Sequence, residues 1–214
     1  MGRSRIVFIV PARNEENTIS GVIDFLIKYG DIIVIDDCSN DNTYNILLKY
    51  KITILKNIIN HGYQKSVIQG LIEAKKLDYE YAVTFDADGQ HLGINMKHFI
   101  NELNNNYDLI VTQRNIKNRF SENILSVYSN FFFQGIDLFS GMKAYKIKKI
   151  NKSFFDFKIN TFCSELTIKL IKKNFVISTY PIRVLERKDS PRIGINLLIN
   201  FRIISILLYF LIKY

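Results

Sequence analysis

Two rhythms of apolar and polar positions alternate along the first 115 residues. Short, nearly continuous apolar runs are typical of buried parallel strands, and apolar residues three and four positions apart predict amphipathic helices. The runs predict strands at 5–10, 32–35, 52–55, 81–85 and 109–112, the first of them closed by Pro11. The helical spacing predicts helices from a cap at Asn14 or Asn17 to about Tyr29, from the turn at 39–42 to about Tyr50, and at 62–76 and 93–105.

This alternation indicates an α/β fold with a mostly parallel central sheet flanked by helices. Helices of this length fit right-handed crossovers between parallel strands. After Asn115 the pattern changes, and it predicts an aromatic-rich helix at 121–134, a strand at 138–145, a helix at 161–173 and a strand at 175–180, followed by a basic loop. We expect this second half to pack as a further layer against the first.

The segment 193–214 is strongly apolar, although Asn196, Asn200 and Arg202 interrupt it. Its uninterrupted apolar part, 203–212, is shorter than the roughly 20 residues that cross a bilayer. The segment therefore predicts a C-terminal apolar helix that either packs on the fold or lies at a membrane surface. The basic residues before it favour anionic lipid.

Length and composition narrow the possibilities further. A chain of 214 residues is long enough for one well-buried α/β domain. The formal net charge of +9 favours anionic partners, but no nucleic-acid-binding motif accompanies it, so we expect no nucleic acid partner. Cys38 and Cys163 lie far apart, and the chain starts without a secretion signal. We therefore expect a cytoplasmic protein with reduced thiols.

Polar clusters follow three of the predicted strands. They are the segments 11–15, 36–39 and 86–88. Successive strands of an open α/β sheet place such ends along one crevice, where ligands collect. Asp86 and Asp88 offer hard oxygen ligands suited to Mg²⁺ or Mn²⁺, and an ion held there would neutralise a diphosphate. The carboxylates of the other two clusters can accept hydrogen bonds from a ribose or a base.

Other nucleotide-binding signatures are missing from the sequence. No Gly-x-Gly-x-x-Gly follows the first strand, and no Walker lysine motif occurs. The first absence argues against a nicotinamide-dependent dehydrogenase, and the second argues against a P-loop NTPase. His61, His91 and His98 share no metal-ligand spacing, so we expect them to be structural or surface residues.

Six segments, taken in order, resemble the family 2 glycosyltransferases, which have the GT-A fold, and especially the dolichyl-phosphate mannose synthase type. The resemblance covers about residues 5–192, and the segments are 10–16, 34–39, 60–66, 85–91, 137–145 and 187–192. It implies a GT-A catalytic domain at 1–192, with a nucleotide-binding half at 1–115 and an acceptor-side half at 116–192. Residues 193–214 would then form a separate apolar helix with a possible membrane association.

The resemblance also implies roles for individual residues. The metal and diphosphate would be held by Asp86 and Asp88, with Gln90 able to join the metal. A basic loop carrying Arg187 and Arg192 would close on the phosphates. The remaining nucleotide-sugar-binding residues would be Pro11, Ala12, Arg13, Glu15, Asp36, Asp37, Gly62 and Lys65. For Gly62, the residues alone leave a simple turn glycine open as the alternative.

The implied reaction inverts the sugar by direct displacement from a UDP- or GDP-sugar. A polyprenyl phosphate acceptor is already anionic and needs no strong base, whereas a sugar hydroxyl needs a general base within hydrogen-bond reach. Asp137 and Glu165 are the candidate bases. Ser164 precedes Glu165 where base-bearing members often have a second acid, and this departure favours the phosphate acceptor. We expect a membrane surface as a partner in that case.

Three alternatives remain open from the sequence. The chain could transfer sugar to the hydroxyl of a cell-surface glycan, or it could be a nucleotidyltransferase, which also sets paired acids on an α/β sheet. It could also be a nucleotide-binding module without activity. Metal-dependent turnover of a nucleotide sugar would exclude the last.

Overall fold

A computed structural model describes residues 5–115, 120–161, 163–185 and 196–214. Within these residues the strands form one seven-stranded sheet in the order β3-β2-β1-β4-β6-β5-β7. The strands are β1 (Ile6–Ala12), β2 (Asp31–Asp36), β3 (Thr53–Lys56), β4 (Tyr81–Thr84), β5 (Leu109–Arg114), β6 (Lys143–Lys146) and β7 (Ile177–Ile182). The helices are α1 (Ile19–Leu26), α2 (Thr43–Leu47), α3 (Tyr63–Lys76), α4 (Met96–Glu102), α5 (Phe120–Phe132), α6 (Ser164–Lys172) and α7 (Asn196–Lys213).

The sheet is mostly parallel, as the sequence predicts. Strand β1 pairs in parallel with β2 and β4, and β5 pairs in parallel with β7. Strand β6 lies antiparallel between β4 and β5, so strands of both predicted halves share one sheet. The chain first builds outward from β1 to β3 and then returns to the other side of β1 with β4. This reversal places a topological switch point, the usual position of a ligand crevice, between β1 and β4.

Alternate residues of the central strands build two cores, one on each face of the sheet. Val7 and Ile9 pack with α3, α6 and α7, whereas Phe8 and Val10 pack with α1 and α4. Helix α3 lies especially close to the sheet, because a Cβ on Gly70 would come within 2.2 Å of Ile9 Cγ2. The period of two along a strand explains why these strands are apolar on both faces.

Two predicted strand boundaries need correction. Strand β1 does not end before Pro11, since Pro11 pairs with Ile35 and the ladder continues to Ala12. Proline has a φ angle that suits a strand and lacks only the N–H donor, so the strand tolerates it at this point. The predicted strand 138–145 begins only at Lys143, and the residues before it form a loop.

The predicted helix 93–105 is also shorter than expected. Helix α4 starts at Met96, where the side chain of Asn95 accepts a hydrogen bond from the His98 N–H (3.2 Å). This cap fixes the start of the helix. The last turn tightens into a 3₁₀ helix, Leu103–Asn105.

The C-terminal helix α7 packs along the fold. Its residues Ile203, Ile206 and Phe210 are buried, and Ile206 and Phe210 join the core that includes Tyr128 of α5. Among the helices that the structure describes, none combines the length and apolar character needed to traverse a bilayer.

Candidate functional site

The polar segments that follow β1 and β2 lie side by side at the carboxyl edge of the sheet. The Asp37 N–H donates to the carbonyl of Ala12 (2.8 Å), and the Asn14 N–H donates to Ser39 Oγ (2.9 Å). The Asn14 side chain accepts in turn from the Asn40 N–H (2.8 Å). These bonds cross-link two of the three clusters predicted to be neighbours.

Asp37 uses both carboxylate oxygens to fold the loop before α3. Oδ1 accepts from Asn57 Nδ2 (2.9 Å) and the His61 N–H (2.8 Å), and Oδ2 accepts from the Gly62 N–H (2.7 Å). Gly62 has a φ of 85°, a backbone conformation that is strained for any residue with a Cβ. The acid predicted to bind the nucleoside therefore holds this loop, and Gly62 serves as the turn at the start of α3.

The neighbouring acid, Asp36, is fully buried at the end of β2. Its Oδ1 accepts from the Ser39 N–H (3.2 Å), but its Oδ2 has no hydrogen-bond partner among the described residues. An unsatisfied buried acceptor costs about 1–3 kcal/mol. Asp36 thus carries a buried acceptor that no described residue satisfies.

The segment after β1 carries one exposed charged residue and one buried charged residue. Arg13 is exposed, whereas Glu15 is buried, and its Oε2 accepts from Thr18 Oγ1 (2.7 Å). The backbone carbonyl of Glu15 also accepts from the Ile19 N–H (2.9 Å) at the start of α1. Glu15 therefore shapes the entry into α1, and Pro11 and Ala12 form the strand end beneath it.

Asp86 follows β4 and is held from two sides. The Tyr63 hydroxyl donates to its Oδ1 (3.0 Å), and His91 Nε2 lies 3.1 Å from its Oδ2. A Cβ on Gly141 would lie only 2.0 Å from Oδ2, so glycine is needed beside this carboxylate. Burial raises the pKa of Asp86, but the hydrogen bonds from His91 and Tyr63 and the charge of Lys143 outweigh it. Its net pKa lies below the ordinary value, and the group is ionised at neutral pH.

Asp88 and Gln90 form a turn that is tied to the segment after β7. Asp88 Oδ1 accepts from the Gln90 N–H (3.1 Å), and Gln90 Nε2 donates to the Leu185 carbonyl (3.2 Å). The Leu185 N–H donates back to the Gln90 carbonyl (2.9 Å). The chain that continues from Leu185 carries Arg187 and Arg192, which lie outside the described residues.

The donor set at the end of β4 fits a magnesium or manganese ion. Asp86 and Asp88 could supply carboxylate oxygens, and Gln90 could supply an amide oxygen. Within the described part of the chain, no group of three or more His, Cys, Asp or Glu residues is arranged to hold a metal. Mg²⁺ is usually bound by one or two carboxylates together with substrate phosphates and water. Two carboxylates and one amide oxygen are a donor set of that chemistry.

The predicted base Asp137 is paired with a cation that sequence analysis did not identify. Arg114, at the end of β5, binds it with two parallel contacts, Nε to Oδ2 (2.7 Å) and Nη2 to Oδ1 (3.0 Å). Both groups are largely buried. Such a bidentate pair is strong and directional, so Asp137 would have to give up Arg114 before accepting a proton.

The predicted base Glu165 lies in a different cluster. It is fully buried in the first turn of α6, and its Oε1 accepts from Lys213 Nζ (2.5 Å) and from the hydroxyls of Tyr214 (3.3 Å) and Tyr209 (3.4 Å). Lys169 Nζ lies 3.7 Å away. These contacts are with α6 and α7, and none of them is with Asp86 or Asp137.

Three residues near Asp86 escaped the sequence analysis as functional candidates. Tyr63 and His91 contact the carboxylate directly, and Lys143 is buried in β6, where its Nζ donates to the carbonyls of Leu138 (3.2 Å) and Ser140 (2.7 Å). Burial lowers the pKa of Lys143. A lysine within the predicted strand 138–145, and a histidine directly after Asp86–Gln90, were the signals available. Lys65 is exposed in the first turn of α3.

Comparison with known proteins agrees with the fold and with the motifs. Residues 7–174 match the family described as Glycosyl transferase family 2. The chain is 30% identical to the UDP-N-acetylglucosamine--dolichyl-phosphate N-acetylglucosaminyltransferase of Methanococcus voltae, over 95% of this chain and 94% of that protein. An uncharacterized protein of Methanocaldococcus jannaschii is 27% identical over 95% and 91% of the two chains.

Solved structures share the architecture. Glucosyl-3-phosphoglycerate synthase from Mycobacterium tuberculosis, in complex with Mn²⁺, UDP and phosphoglyceric acid, superposes with a TM-score of 0.75. The match covers 97% of this chain and 78% of the synthase at 18% identity. The same synthase in complex with Mg²⁺ and UDP gives a TM-score of 0.72. At this identity the likeness establishes the GT-A fold.

Proposed function

The chain belongs to glycosyl transferase family 2, and from that membership we propose that it transfers a sugar from a nucleoside diphosphate sugar to a polyprenyl phosphate such as dolichyl phosphate. One geometric observation carries the proposal. Asp36 ends β2, and Asp86 and Asp88 follow β4; these are the two strands that flank β1, so the three acids lie on the two sides of the switch point between β1 and β4. This crevice can hold a base at one end and a metal-bound diphosphate at the other.

The donor would lie across the carboxyl ends of β2, β1 and β4. The unpartnered Oδ2 of Asp36 would accept an N–H from the base, and exposed Arg13 would lie beside the ribose or phosphates. The name of the Methanococcus voltae relative, a UDP-N-acetylglucosamine enzyme, supports UDP over GDP. Lys65 and the basic loop of Arg187 and Arg192 would add positive charge around the diphosphate.

Asp86, Asp88 and Gln90 would hold Mg²⁺ or Mn²⁺. When bound, the ion supplies positive charge that stabilises the departing diphosphate. Tyr63 and His91 keep the Asp86 carboxylate in one orientation, and the Asp88–Gln90 turn is fixed by Leu185. The protein side of the site is therefore preorganised for the donor.

The contacts of the two candidate bases, Asp137 and Glu165, favour a phosphate acceptor. Arg114 occupies both oxygens of Asp137, and Lys213 pairs with Oε1 of Glu165, whose Oε2 is buried without a hydrogen-bond partner among the described residues. A lipid phosphate is anionic without losing a proton to the enzyme, so neither carboxylate is required as a base. Because such a lipid lies in a membrane, we place the enzyme at the cytoplasmic face, where nucleotide sugars are also available.

The acceptor assignment is tested with Glu165→Gln and Asp137→Asn, each assayed with UDP-N-acetylglucosamine, Mn²⁺ and polyprenyl phosphate. Transfer to the phosphate should stay within about tenfold of the wild type for folded variants, whereas loss of a general base typically costs about 10²- to 10⁴-fold. Melting temperatures identify any variant that fails to fold. Transfer to a glycan hydroxyl instead, abolished by either substitution, would contradict the proposal. Release of pyrophosphate from a nucleoside triphosphate would indicate a nucleotidyltransferase.

A further inference from the structure

Helix α7 is apolar on its outward side as well as its inward side. Ile203, Ile206 and Phe210 face the core, but Phe201, Leu208 and Ile212 lie on the opposite side and are exposed. Leu208 is 55% exposed and Ile212 is 88% exposed. A surface helix of a globular protein normally presents polar residues to water, so this outward stripe indicates a further apolar contact.

The neighbouring helix α5 extends the same kind of surface. It packs against α7, and it leaves Val127, Phe131 and Phe132 exposed, with Phe131 82% exposed. We refer to these six exposed residues of the two helices as the α5–α7 face. The loop that follows α5 carries Asp137 and Gly141, so the face adjoins the acceptor side of the site along the chain.

The charges of α7 are all positive, whereas α5 carries one acid, Glu122. Helix α7 has no acidic residue in its sequence, and it contains Arg202 and Lys213. Lys172 and Lys173, at the end of α6, lie exposed near its C-terminus, where Lys172 Nζ donates to the Tyr214 carbonyl (2.9 Å). The acid at this end, Glu165, is fully buried and neutralised by its own lysine contacts. An apolar stripe bordered by cations complements an anionic lipid surface.

The contacts at the end of α7 also determine which side of the helix faces outward. Glu165 binds Lys213, Tyr209 and Tyr214, and this buried clamp fastens the end of α7 to α6. The helix therefore lies along the domain with its outer side available. Tyrosines with an apolar ring and a polar hydroxyl are typical of the boundary between lipid and water.

We propose that the α5–α7 face lies flat on a bilayer that contains anionic phospholipid, with Leu208, Ile212 and Phe131 entering the headgroup boundary. This inference rests on the proposed function in one respect, because the orientation is useful only for an acceptor that is linked to a lipid. The face would hold the acceptor side of the crevice toward the membrane. The partner is the lipid surface itself, held by apolar burial and by charge.

The test uses the full-length protein and sedimentation with vesicles. Leu208→Ser combined with Ile212→Ser should lower binding to vesicles of phosphatidylcholine and phosphatidylglycerol by at least about tenfold, because two apolar side chains no longer bury. Ile27→Ser combined with Leu48→Ser is the matched control, since these residues, at the C-terminal caps of α1 and α2, are 48% and 58% exposed. The control should bind as the wild type does. Binding should also weaken in high salt and on phosphatidylcholine alone.

Other results would overturn the inference. Wild-type protein that does not bind the anionic vesicles, or a double variant that binds them as well as the control does, would contradict it. A wild-type dimer that the double variant converts to monomer, without vesicle binding, would assign the face to a second copy of this chain.

Turnover with a short-chain, water-soluble polyprenyl phosphate separates this inference from the proposed function. The double variant should release nucleoside diphosphate at the wild-type rate in that assay, because the α5–α7 face is outside the donor site. Vesicle binding through the face without any transfer would leave the inference standing and refute the proposed function.

Discussion

At the scale of single residues, the position of Asp86 depends on the absence of a side chain at Gly141. The Asp86 carboxylate lies where a Cβ of residue 141 would be. Tyr63 and His91 then fix its two oxygens. Three distant parts of the sequence thus converge on one group, and each limits where the carboxylate can lie.

Gly141→Ala is expected to lower kcat/KM for donor turnover by about 10- to 100-fold, because the new methyl group displaces Asp86 and small misplacements of a reacting group are costly. Gly21→Ala is the control. A Cβ at Gly21, in α1, meets nothing within 4 Å, and alanine favours a helix by about 1 kcal/mol. Steady-state kinetics and melting temperatures of both variants make the comparison. Wild-type turnover by Gly141→Ala would contradict this account of Asp86.

The sequence predicted the positions of the site residues better than their partners. Asp36, Asp37 and Asp86 could be placed at one sheet edge, because strand endings follow from short apolar runs. The pairing of Asp137 with Arg114 and of Glu165 with Lys213 could not be predicted, since each joins residues far apart in sequence. Only tertiary packing decides which cation meets which acid.

At the scale of elements, α7 is fastened to α6 through one buried acid. Glu165 accepts from Lys213, and Tyr209 and Tyr214 surround the pair. Removing one member of a buried ion pair leaves the other charge uncompensated. Lys213 is itself exposed, but its partner Glu165 is fully buried, so the docking of α7 should depend on Lys213 more than on any other exposed residue of the helix.

Lys213→Met is expected to reduce the free energy of unfolding by about 2–4 kcal/mol, measured by urea denaturation. Lys173→Met, at an exposed position after α6, is the control and should change it by less than about 0.5 kcal/mol. Equal stability of the two variants would show that the Glu165 cluster does not hold α7.

The difference in the free energy of unfolding between the wild type and Lys213→Met depends on pH in a direction that the pKa of Lys213 sets. Burial lowers the pKa of Lys213, but the bonds to Glu165 and Tyr209 outweigh burial and raise it above the ordinary value. A raised lysine pKa contributes stability that is complete below the ordinary value of about 10.4 and is lost as pH rises through the folded value. The difference between wild type and Lys213→Met should therefore be constant from about pH 6 to 9.

The order and type of the elements could be predicted, but some of their ends could not. The strand predicted from Leu138 does not begin until Lys143, and residues 137–142 form a loop in which Asp137 is held by Arg114 and Gly141 lies against Asp86. Ser140 and Gly141 favour turns, so this part of the strand prediction gave too little weight to turn residues. The deviation falls next to the candidate site, where local rules are most often broken.

At the scale of the whole molecule, we propose separate roles for two surfaces. The carboxyl edge of the sheet, at the switch point between β1 and β4, is the proposed donor site. The α5–α7 face is the proposed lipid contact. The net charge of +9 suits both, because a nucleoside diphosphate and an anionic membrane are both attracted to it. The position of the crevice follows from the order of strands alone, whereas the α5–α7 face depends on how the last helix docks.

The proposed function depends on the proposal that Asp86 and Asp88, after β4, hold the metal, and substitution of Asp88 tests it. Formation of lipid-linked sugar from UDP-N-acetylglucosamine and polyprenyl phosphate in Mn²⁺ is compared for wild type, Asp88→Asn and the exposed control Asp78→Asn, which lies in the turn after α3. The account predicts that Asp88→Asn loses at least about 100-fold in rate while Asp78→Asn keeps the wild-type rate. Product formation by Asp88→Asn at the wild-type rate would contradict it.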